Sequence, residues 1–324
     1  MPDISKINAL AIGSVSKVDG LAKASILDID GIAVPSALTW SPTLDTYTGS
    51  EAAYSVRLLR TAYETGGGTI MRVRRASDNV EVDVGFDSNK EFGLTSPVSN
   101  PSAGGPFTDF ADFIGHGGTP TDGFCRWWYD QSGNGNDASQ ATSGRQPKIY
   151  DSASGIVDEG ATTARPALFF DQTDDRFEEI TGLPTFNTNE LGIFVVCKND
   201  NNDPFITAFT AGNGSGTEVT AAYRGHVFGY CGTTTAGDNA TTQKLHSLYA
   251  DNATNDVKGY QDQVQKATFS TSSISHTSIF VGQLRNVATT EFAGTIQEVI
   301  FYPASTKADH TDIETSENDY FEIF

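Results

Sequence analysis

The sequence is poor in cysteine, histidine and basic residues, and each shortage excludes a class of protein. Three scattered cysteines, Cys125, Cys197 and Cys231, cannot build a disulfide framework, and the first two lie in apolar runs typical of core thiols. Five separated histidines without HxxxH or HxH spacing disfavour a histidine metal centre. The net charge of −20 argues against binding nucleic acid or an anionic membrane.

Long apolar segments are also missing. No stretch approaches the roughly 20 apolar residues of a membrane span. Residues 1–15 lack the basic start and apolar run of a signal peptide, so we expect assembly in a reducing cytoplasm without membrane insertion. The sequence has neither a GxSxG motif nor a Walker-type phosphate loop, which leaves those two chemistries without a candidate site.

The most distinctive feature that is present is a repeat near the start. Ile4–Ser14, Val15–Ser25 and Ile26–Ser36 are three gapless copies of an 11-residue unit. Each copy has Ile or Val at its first and fourth positions, then a turn dipeptide, then Leu or Ile followed by Ala. Glycine, proline and β-branched residues disfavour a helix, so each unit predicts a pair of short strands joined by a tight turn.

Three such units are too small to form a core of their own. We therefore expect residues 1–36 to be an arm that packs on its own body, on a sister subunit or on a larger assembly. The alternative is an ordinary flexible extension. The apolar positions expected to anchor the arm are Ile4, Ile7, Val15, Val18, Ile26 and Ile29.

Beyond the arm, a linker over residues 37–50 leads to a large domain over residues 51–324. Charged residues make up only 19% of the chain, and turn clusters rich in glycine separate many short apolar runs. Many strands with few helices predict a mainly β sandwich of the jelly-roll type. Helices are predicted over residues 51–63, 109–114 and 307–321.

An aromatic strand runs into a polar, glycine-rich loop over residues 127–137. Trp127, Trp128 and Tyr129 are candidates for stacking on sugar rings. Successive residues of a strand face opposite sides, so Trp127 and Tyr129 share one face and Trp128 lies on the other. One of these faces must belong to the core, which leaves at most one or two rings for a ligand.

The loop that follows carries oxygen side chains at alternate positions, a spacing that suits Ca²⁺. Two interpretations stay open, a Ca²⁺ site and a network of turns closed by side chains; Ala141 at the twelfth position excludes an EF-hand. No cofactor other than Ca²⁺ is expected. The candidate ligands are Asp130, Ser132, Asn134, Asn136 and Asp137. The same alternatives apply to a second series, Asp171, Thr173, Asp174 and Asp175.

Two long motifs, RVRRASDN and WYDQSGNGND, carry a resemblance to a known enzyme family. Residues 53–140, which contain both, resemble the first part of the catalytic domain of fungal-type α-L-arabinofuranosidase B. That family has a Cys-Cys pair near its acidic catalytic segment, and this sequence has none. Its acidic residues also do not align with the catalytic positions. We therefore expect the shared block to supply scaffold and the protein not to be an enzyme.

The same block is similar to segments of phage virion proteins, where it is joined to laminin-G-like jelly rolls. Residues 165–177 and 292–321 resemble such a concanavalin A-like sandwich with its trailing helix, and the repeats resemble the start of phage structural proteins. The resemblance implies a bacteriophage virion structural protein: a decoration, fibre or tail-associated subunit at the virion surface. It would be a homotrimer attached by its arm to other virion proteins. The alternative is a carbohydrate-binding adhesin that contacts host surface glycans, and a glycoside hydrolase comes third.

Overall fold

The computed structural model divides the chain into two compact units, Met1–Ser41 and Pro42–Phe324. The arm positions Ile4, Ile7, Val15 and Ile26, and also Cys231, lie outside the residues that the structure describes. The described residues are 17–18, 21–22, 28–29, 32–33, 40–160, 162–200, 207–223, 226–230, 233–236, 242–251, 253–285 and 291–324.

The first unit contains two short hairpins. Strand β1 (Lys17–Val18) pairs antiparallel with β2 (Leu21–Ala22), and β3 (Asp28–Ile29) pairs antiparallel with β4 (Ile32–Ala33). The second hairpin repeats the first after 11 residues. This confirms the predicted pair of short strands in the second and third copies of the repeat, while the anchoring role of the arm stays a prediction.

Strands are the main regular elements of the second unit. In chain order the first eleven are β5 (Ala52–Ser55), β6 (Met71–Arg75), β7 (Glu81–Val84), β8 (Val98–Ser99), β9 (Gly123–Trp128), β10 (Ala138–Ser139), β11 (Lys148–Asp151), β12 (Gly155–Ile156), β13 (Asp158–Glu159), β14 (Arg165–Pro166) and β15 (Leu168–Asp171). The rest are β16 (Ile180–Asn187), β17 (Gly192–Asn199), β18 (Thr207–Ala211), β19 (Val219–Tyr223), β20 (His226–Tyr230), β21 (Thr233–Ala236), β22 (Lys244–Asp251), β23 (Asp256–Gln261), β24 (Val264–Ser270), β25 (Ser275–Val281) and β26 (Ala293–Tyr302). The helices are α1 (Thr43–Thr46), α2 (Thr61–Thr65), α3 (Phe110–Ile114) and α4 (His310–Phe321).

Two antiparallel sheets form the body. The larger has the order β24-β23-β22-β17-β26-β15-β11-β9-β6-β7-β8, with β5 added to β26, β10 to β9 and β12 to β11. The smaller has the order β16-β25-β18-β19-β20-β21, and β13 pairs with β14 in a separate hairpin. The sheets pack against each other where β19 contacts β17 and β22, and where β20 contacts β23 and β24. This arrangement confirms the predicted mainly β sandwich.

Strand β26 lies at the centre of the core and is buried at every position. On one face, the Phe301 ring packs at 4.8 Å from the ring of Phe186 in the smaller sheet. On the other face, Glu298 lies against Glu317 of α4. Because both faces of this strand are covered, its polar residues Thr295, Gln297 and Glu298 are buried together with its apolar ones.

The helix predicted over residues 51–63 is wrong. Ala52–Ser55 is strand β5, which pairs with β26, and the helical residues in this region are Thr61–Thr65. The side chain of Arg57 is fully buried and makes a two-pronged ion pair with Glu298, with Nε–Oε2 at 2.8 Å and Nη2–Oε1 at 2.9 Å. A short apolar run is compatible with the periodicity of a helix and with that of a strand. Here the long-range contacts with β26 stabilise the extended conformation.

The other two predicted helices are present. The short one is α3, whose N-cap is Asp109, with its side chain accepting the N–H of Asp112. The closing one is α4, which starts at His310. Cys125 and Cys197 are buried free thiols, as the apolar runs around them predict. None of the described helices is long and apolar enough to cross a membrane.

Candidate functional site

The loop that follows β9, residues 130–137, is folded around one carboxylate; we call it the Asp130 loop. Asp130 is 2% exposed. Its Oδ1 accepts the N–H groups of Ala53 at 2.8 Å and of Ser132 at 2.9 Å. Its Oδ2 accepts the Ser132 hydroxyl at 2.6 Å and the Asn136 N–H at 3.1 Å. Because Ala53 belongs to β5, the carboxylate ties the loop to a strand 77 residues earlier.

The other polar side chains of the Asp130 loop bond to the same early segment. The Gln131 amide accepts the N–H of Leu59 at 2.8 Å. Asn134 and Asn136 both donate to the carbonyl oxygen of Glu51, at 3.2 and 2.8 Å. These hydrogen bonds place the polar side chains of the WYDQSGNGND motif in a network that joins the Asp130 loop to residues 51–59. Binding of Ca²⁺ by Asp130, Ser132, Asn134, Asn136 and Asp137 stays a prediction.

A pocket with a volume of about 510 Å³ opens between the Asp130 loop and α2. Residues from Arg60 onward form one wall of the pocket. The opposite wall begins at Tyr129, the residue that follows β9. The pocket is lined by Arg60, Ala62, Tyr63, Gly66, Gly67, Gly68, Tyr129, Asp130, Gly133, Gly135 and Asp137.

Arg60 closes one side of this pocket against the loop. Its Nη1 donates to the carbonyl oxygen of Ser132 at 2.6 Å. A Cβ atom at Gly133 would lie 2.5 Å from the same Nη1, and Gly133 has a φ of +94°. The backbone conformation favours glycine at this position, and an added Cβ would also displace the end of the Arg60 side chain. Nearby, the Tyr63 hydroxyl donates to the carbonyl oxygen of Thr69 at 2.9 Å and so fixes the ring.

Asp137 supplies a carboxyl group that is available to a ligand. Its Oδ1 accepts the N–H of Asp130 at 2.9 Å. Burial raises the pKa of Asp137, and the neighbouring Asp130 carboxylate raises it further, while the backbone hydrogen bond acts in the opposite direction. The side chain can thus offer a carboxyl oxygen to a ligand hydroxyl in a pocket that it shares with a guanidinium.

An aromatic surface lies beside the pocket. Trp127 is 39% exposed, and its ring meets that of half-buried Tyr129 edge to face at 5.8 Å. The Tyr129 hydroxyl donates to Asp83 at 2.6 Å, which fixes the ring at the rim of the pocket. The ligand contact expected for Trp128 is wrong, because that side chain is fully buried and its indole N–H donates to the carbonyl oxygen of Ser55 at 3.1 Å.

The charged residues around Trp127 are arranged in pairs. Arg72 binds the carboxylates of Glu81 and Asp83, both at 2.9 Å. Arg126 makes a further ion pair with Glu81. These cations and anions neutralise one another, so the exposed indole is the main apolar element of this surface.

The second acidic series forms a turn at the end of β15; we call residues 171–175 the Asp171 turn. The carboxylate oxygens of Asp171, Asp174 and Asp175 lie within 4.8 Å of one another. Asp171 accepts the N–H groups of Thr173 at 2.8 Å and of Asp174 at 3.3 Å. Burial, aided by the charge of Asp171, raises the pKa of Asp175 to about 7. Ca²⁺ binding here also stays a prediction.

Sequence reasoning did not find Arg60, Tyr63 or the glycines at 66–68 as pocket residues. The predicted helix over residues 51–63 used Tyr63 as part of an apolar helix face. The available signal was the resemblance itself, because Arg60 and Tyr63 fall in the same block of residues 53–140 as the WYDQSGNGND motif.

No protein-family model matches the chain, and no curated protein matches it by sequence. Among solved structures, the chain is similar to a GH54 α-L-arabinofuranosidase soaked with a cyclic sulfate inhibitor. The identity is 14% and the TM-score 0.58, over 86% of this chain and 64% of that chain. It is also similar to domain 4 of a GH43 extracellular arabinanase from Geobacillus stearothermophilus in complex with arabinotriose, with 16% identity and a TM-score of 0.38 over 57% and 92% of the two chains. A third is the CBM40 of Ruminococcus gnavus IT-sialidase bound to α2,3-sialyllactose, with 14% identity and a TM-score of 0.32 over 43% and 96%.

The solved structures bear on two expectations, that the protein is not an enzyme and that it resembles arabinofuranosidase. The expectation that the protein is not an enzyme is wrong, because solved structures that share its fold over 86% of its length are arabinofuranosidases. The resemblance to arabinofuranosidase, first seen in residues 53–140, is confirmed at the level of the fold. The chain spans about 64% of the arabinofuranosidase chain that it matches. The resemblance to virion proteins stays a prediction. The body therefore has a β-sandwich fold of the kind found in a GH54 glycoside hydrolase.

Proposed function

We propose that the protein binds carbohydrate, and that Trp127, Tyr129 and the pocket beside them form the site. The observation that carries this proposal is the juxtaposition of a partly exposed aromatic pair with a pocket that offers the carboxyl of Asp137 and the guanidinium of Arg60. Sugars present apolar C–H faces that pack on aromatic rings and hydroxyls that bond to such polar groups. The similarity in fold to an arabinofuranosidase is consistent with this chemistry.

A glycan array followed by titration calorimetry on the best ligand tests the proposal. We expect Trp127→Ala to weaken binding at least about tenfold, equivalent to about 1.4 kcal/mol. Val264→Ala is the matched control, because Val264 is another exposed apolar side chain, 56% exposed, at the edge of the sheet formed by β24. An array with no bound glycan, or equal affinity in the Trp127→Ala variant, would contradict the proposal.

Hydrolysis of a glycosidic bond is a second candidate for the same pocket. The raised pKa of Asp137 suits a general acid. Glycosidases pair the acid with a second carboxyl group. In this pocket that group is Asp130, whose two oxygens already accept four hydrogen bonds.

A chromogenic arabinofuranoside assay on the wild type and on Asp137→Asn tests hydrolysis. Asparagine keeps the oxygen that accepts the Asp130 N–H but cannot donate an acidic proton. Turnover by the wild type that is lost in the variant would support hydrolysis at Asp137. Turnover that persists in the variant would exclude this residue as the acid.

We propose separately that the protein is a virion component whose arm attaches it to other virion proteins at the particle surface. The repetition of one hairpin in successive copies of the repeat supports a dedicated attachment segment. Deleting residues 1–36 should remove the protein from particles. Wild-type occupancy after the deletion would exclude the anchoring role.

A further inference from the structure

The two hairpins of the first unit repeat one backbone register. Val18 lies opposite Leu21 in the first, and Ile29 lies opposite Ile32 in the second, at equivalent positions of the 11-residue unit. Within the described residues, each hairpin is a sheet of two strands with no third strand paired to it. An isolated two-stranded hairpin is at best marginally stable in water, and strands of two residues are short even for a hairpin. Both hairpins therefore need another segment to complete them.

The charge of residues 1–36 differs from that of the rest of the chain. They contain four aspartates and three lysines, a net charge of −1, whereas the whole chain carries −20. Half of them, 18 of 36, are apolar, compared with 38% in the whole chain. Strongly acidic bodies repel one another, but nearly neutral arms do not. Electrostatics thus favours the arm as the place where copies of this chain can meet.

The 11-residue period of the arm also indicates which kind of surface can pack against it. A surface that repeats every 11 residues can make equivalent contacts along its length only with a surface of the same period. The arm of another copy has this period by its own sequence. We propose that the arms of several copies of this chain pack side by side in register, so that the repeats of one arm complete the hairpins of the next. Such an assembly closes into a symmetric homo-oligomer.

Light scattering on the full-length protein over a range of concentrations tests this inference. The wild type should have a mass that is a multiple of 34.6 kDa. The double variant Val18→Asp with Ile29→Asp places a carboxylate at the same position of both hairpins and should have the mass of one chain. Lys17→Asp is the control: it makes the same total change in charge at the neighbouring position of β1 without removing an apolar side chain, and should keep the wild-type mass.

Two results would overturn the inference. A wild-type mass of one chain at every concentration would mean that the arm packs on its own body or on a different protein. A wild-type mass for the double aspartate variant would mean that the hairpins are not the interface. Thermal unfolding of both variants checks that the body is intact. If the double variant does not fold, Val18→Thr with Ile29→Thr replaces it, and an unchanged oligomer affinity in that variant would count against the inference in the same way.

Discussion

The Asp130 loop and the Asp171 turn look alike in the sequence and differ in the structure. Each follows a strand rich in aromatic residues and carries carboxylates at nearby positions. In the loop, Asp130 is buried and bonds to Ala53, 77 residues away. In the turn, Asp171 is exposed and accepts N–H groups two to four residues ahead. The same residue pattern thus makes a long-range connection in one place and a local turn in the other, depending on what packs against it.

The largest expected effect comes from removing the two leading carboxylates. Asp130→Ala should lower the free energy of unfolding by about 4 kcal/mol, because three backbone N–H groups lose a charged acceptor at a buried site. Asp171→Ala should lower it by about 1 kcal/mol, because water can reach the freed groups. Urea denaturation measures both. Equal decreases in the free energy of unfolding for Asp130→Ala and Asp171→Ala would contradict the difference described between the loop and the turn.

A smaller effect is expected at Gly133, which has no counterpart in the Asp171 turn. Gly133→Ala should lower the free energy of unfolding by about 2 kcal/mol. The alanine is strained by the positive φ, and its Cβ also displaces the end of the Arg60 side chain. Gly155→Ala is the control, since Gly155 has a φ of +102° but no atom within 4 Å of the added Cβ. If Gly155→Ala is equally destabilising in urea, the contact with Arg60 does not matter.

Replacing a buried aspartate by asparagine should change the melting temperature in opposite directions in the two segments, upward at Asp175 and downward at Asp130. Folding raises the pKa of Asp175 from 3.8 to about 7, so the folded protein holds this proton more tightly than the unfolded chain. Above about pH 7 the ionised carboxyl group lowers the free energy of unfolding by its full amount. This loss becomes smaller as the pH falls from about 7 to about 4, and it is absent below about pH 4, where the group is protonated in both states. Asp175→Asn should raise the melting temperature at about pH 8 and leave it unchanged at about pH 4.

Asp130→Asn serves as the comparison for this pH series. It replaces a carboxylate that accepts four hydrogen bonds with a group that has a single acceptor oxygen, so the melting temperature at about pH 8 should fall. A fall for Asp175→Asn at the same pH would show that Asp175 is not destabilised by its burial.

Sequence reasoning succeeded where local pattern and packing agree. The many short apolar runs separated by turn clusters predicted a mainly β body, and two antiparallel sheets are found. The 11-residue spacing predicted hairpins, and two are found in register. It failed at residues 51–63, where Ala52–Ser55 is a strand paired with β26 and the nearby Arg57 is held by its ion pair with Glu298. Because this error moved Arg60 and Tyr63, the pocket could not be predicted either.

The sequence by itself determined the β-rich class of the body, the hairpin repeat of the arm and the separation of Trp127 and Trp128 onto opposite faces, because each follows from spacings of a few residues. Only the tertiary structure decided that Trp128 is the buried ring, that Asp130 is a structural carboxylate and that Asp137 faces a pocket. Those outcomes depend on contacts between segments about 80 residues apart, and no local periodicity carries information about such contacts.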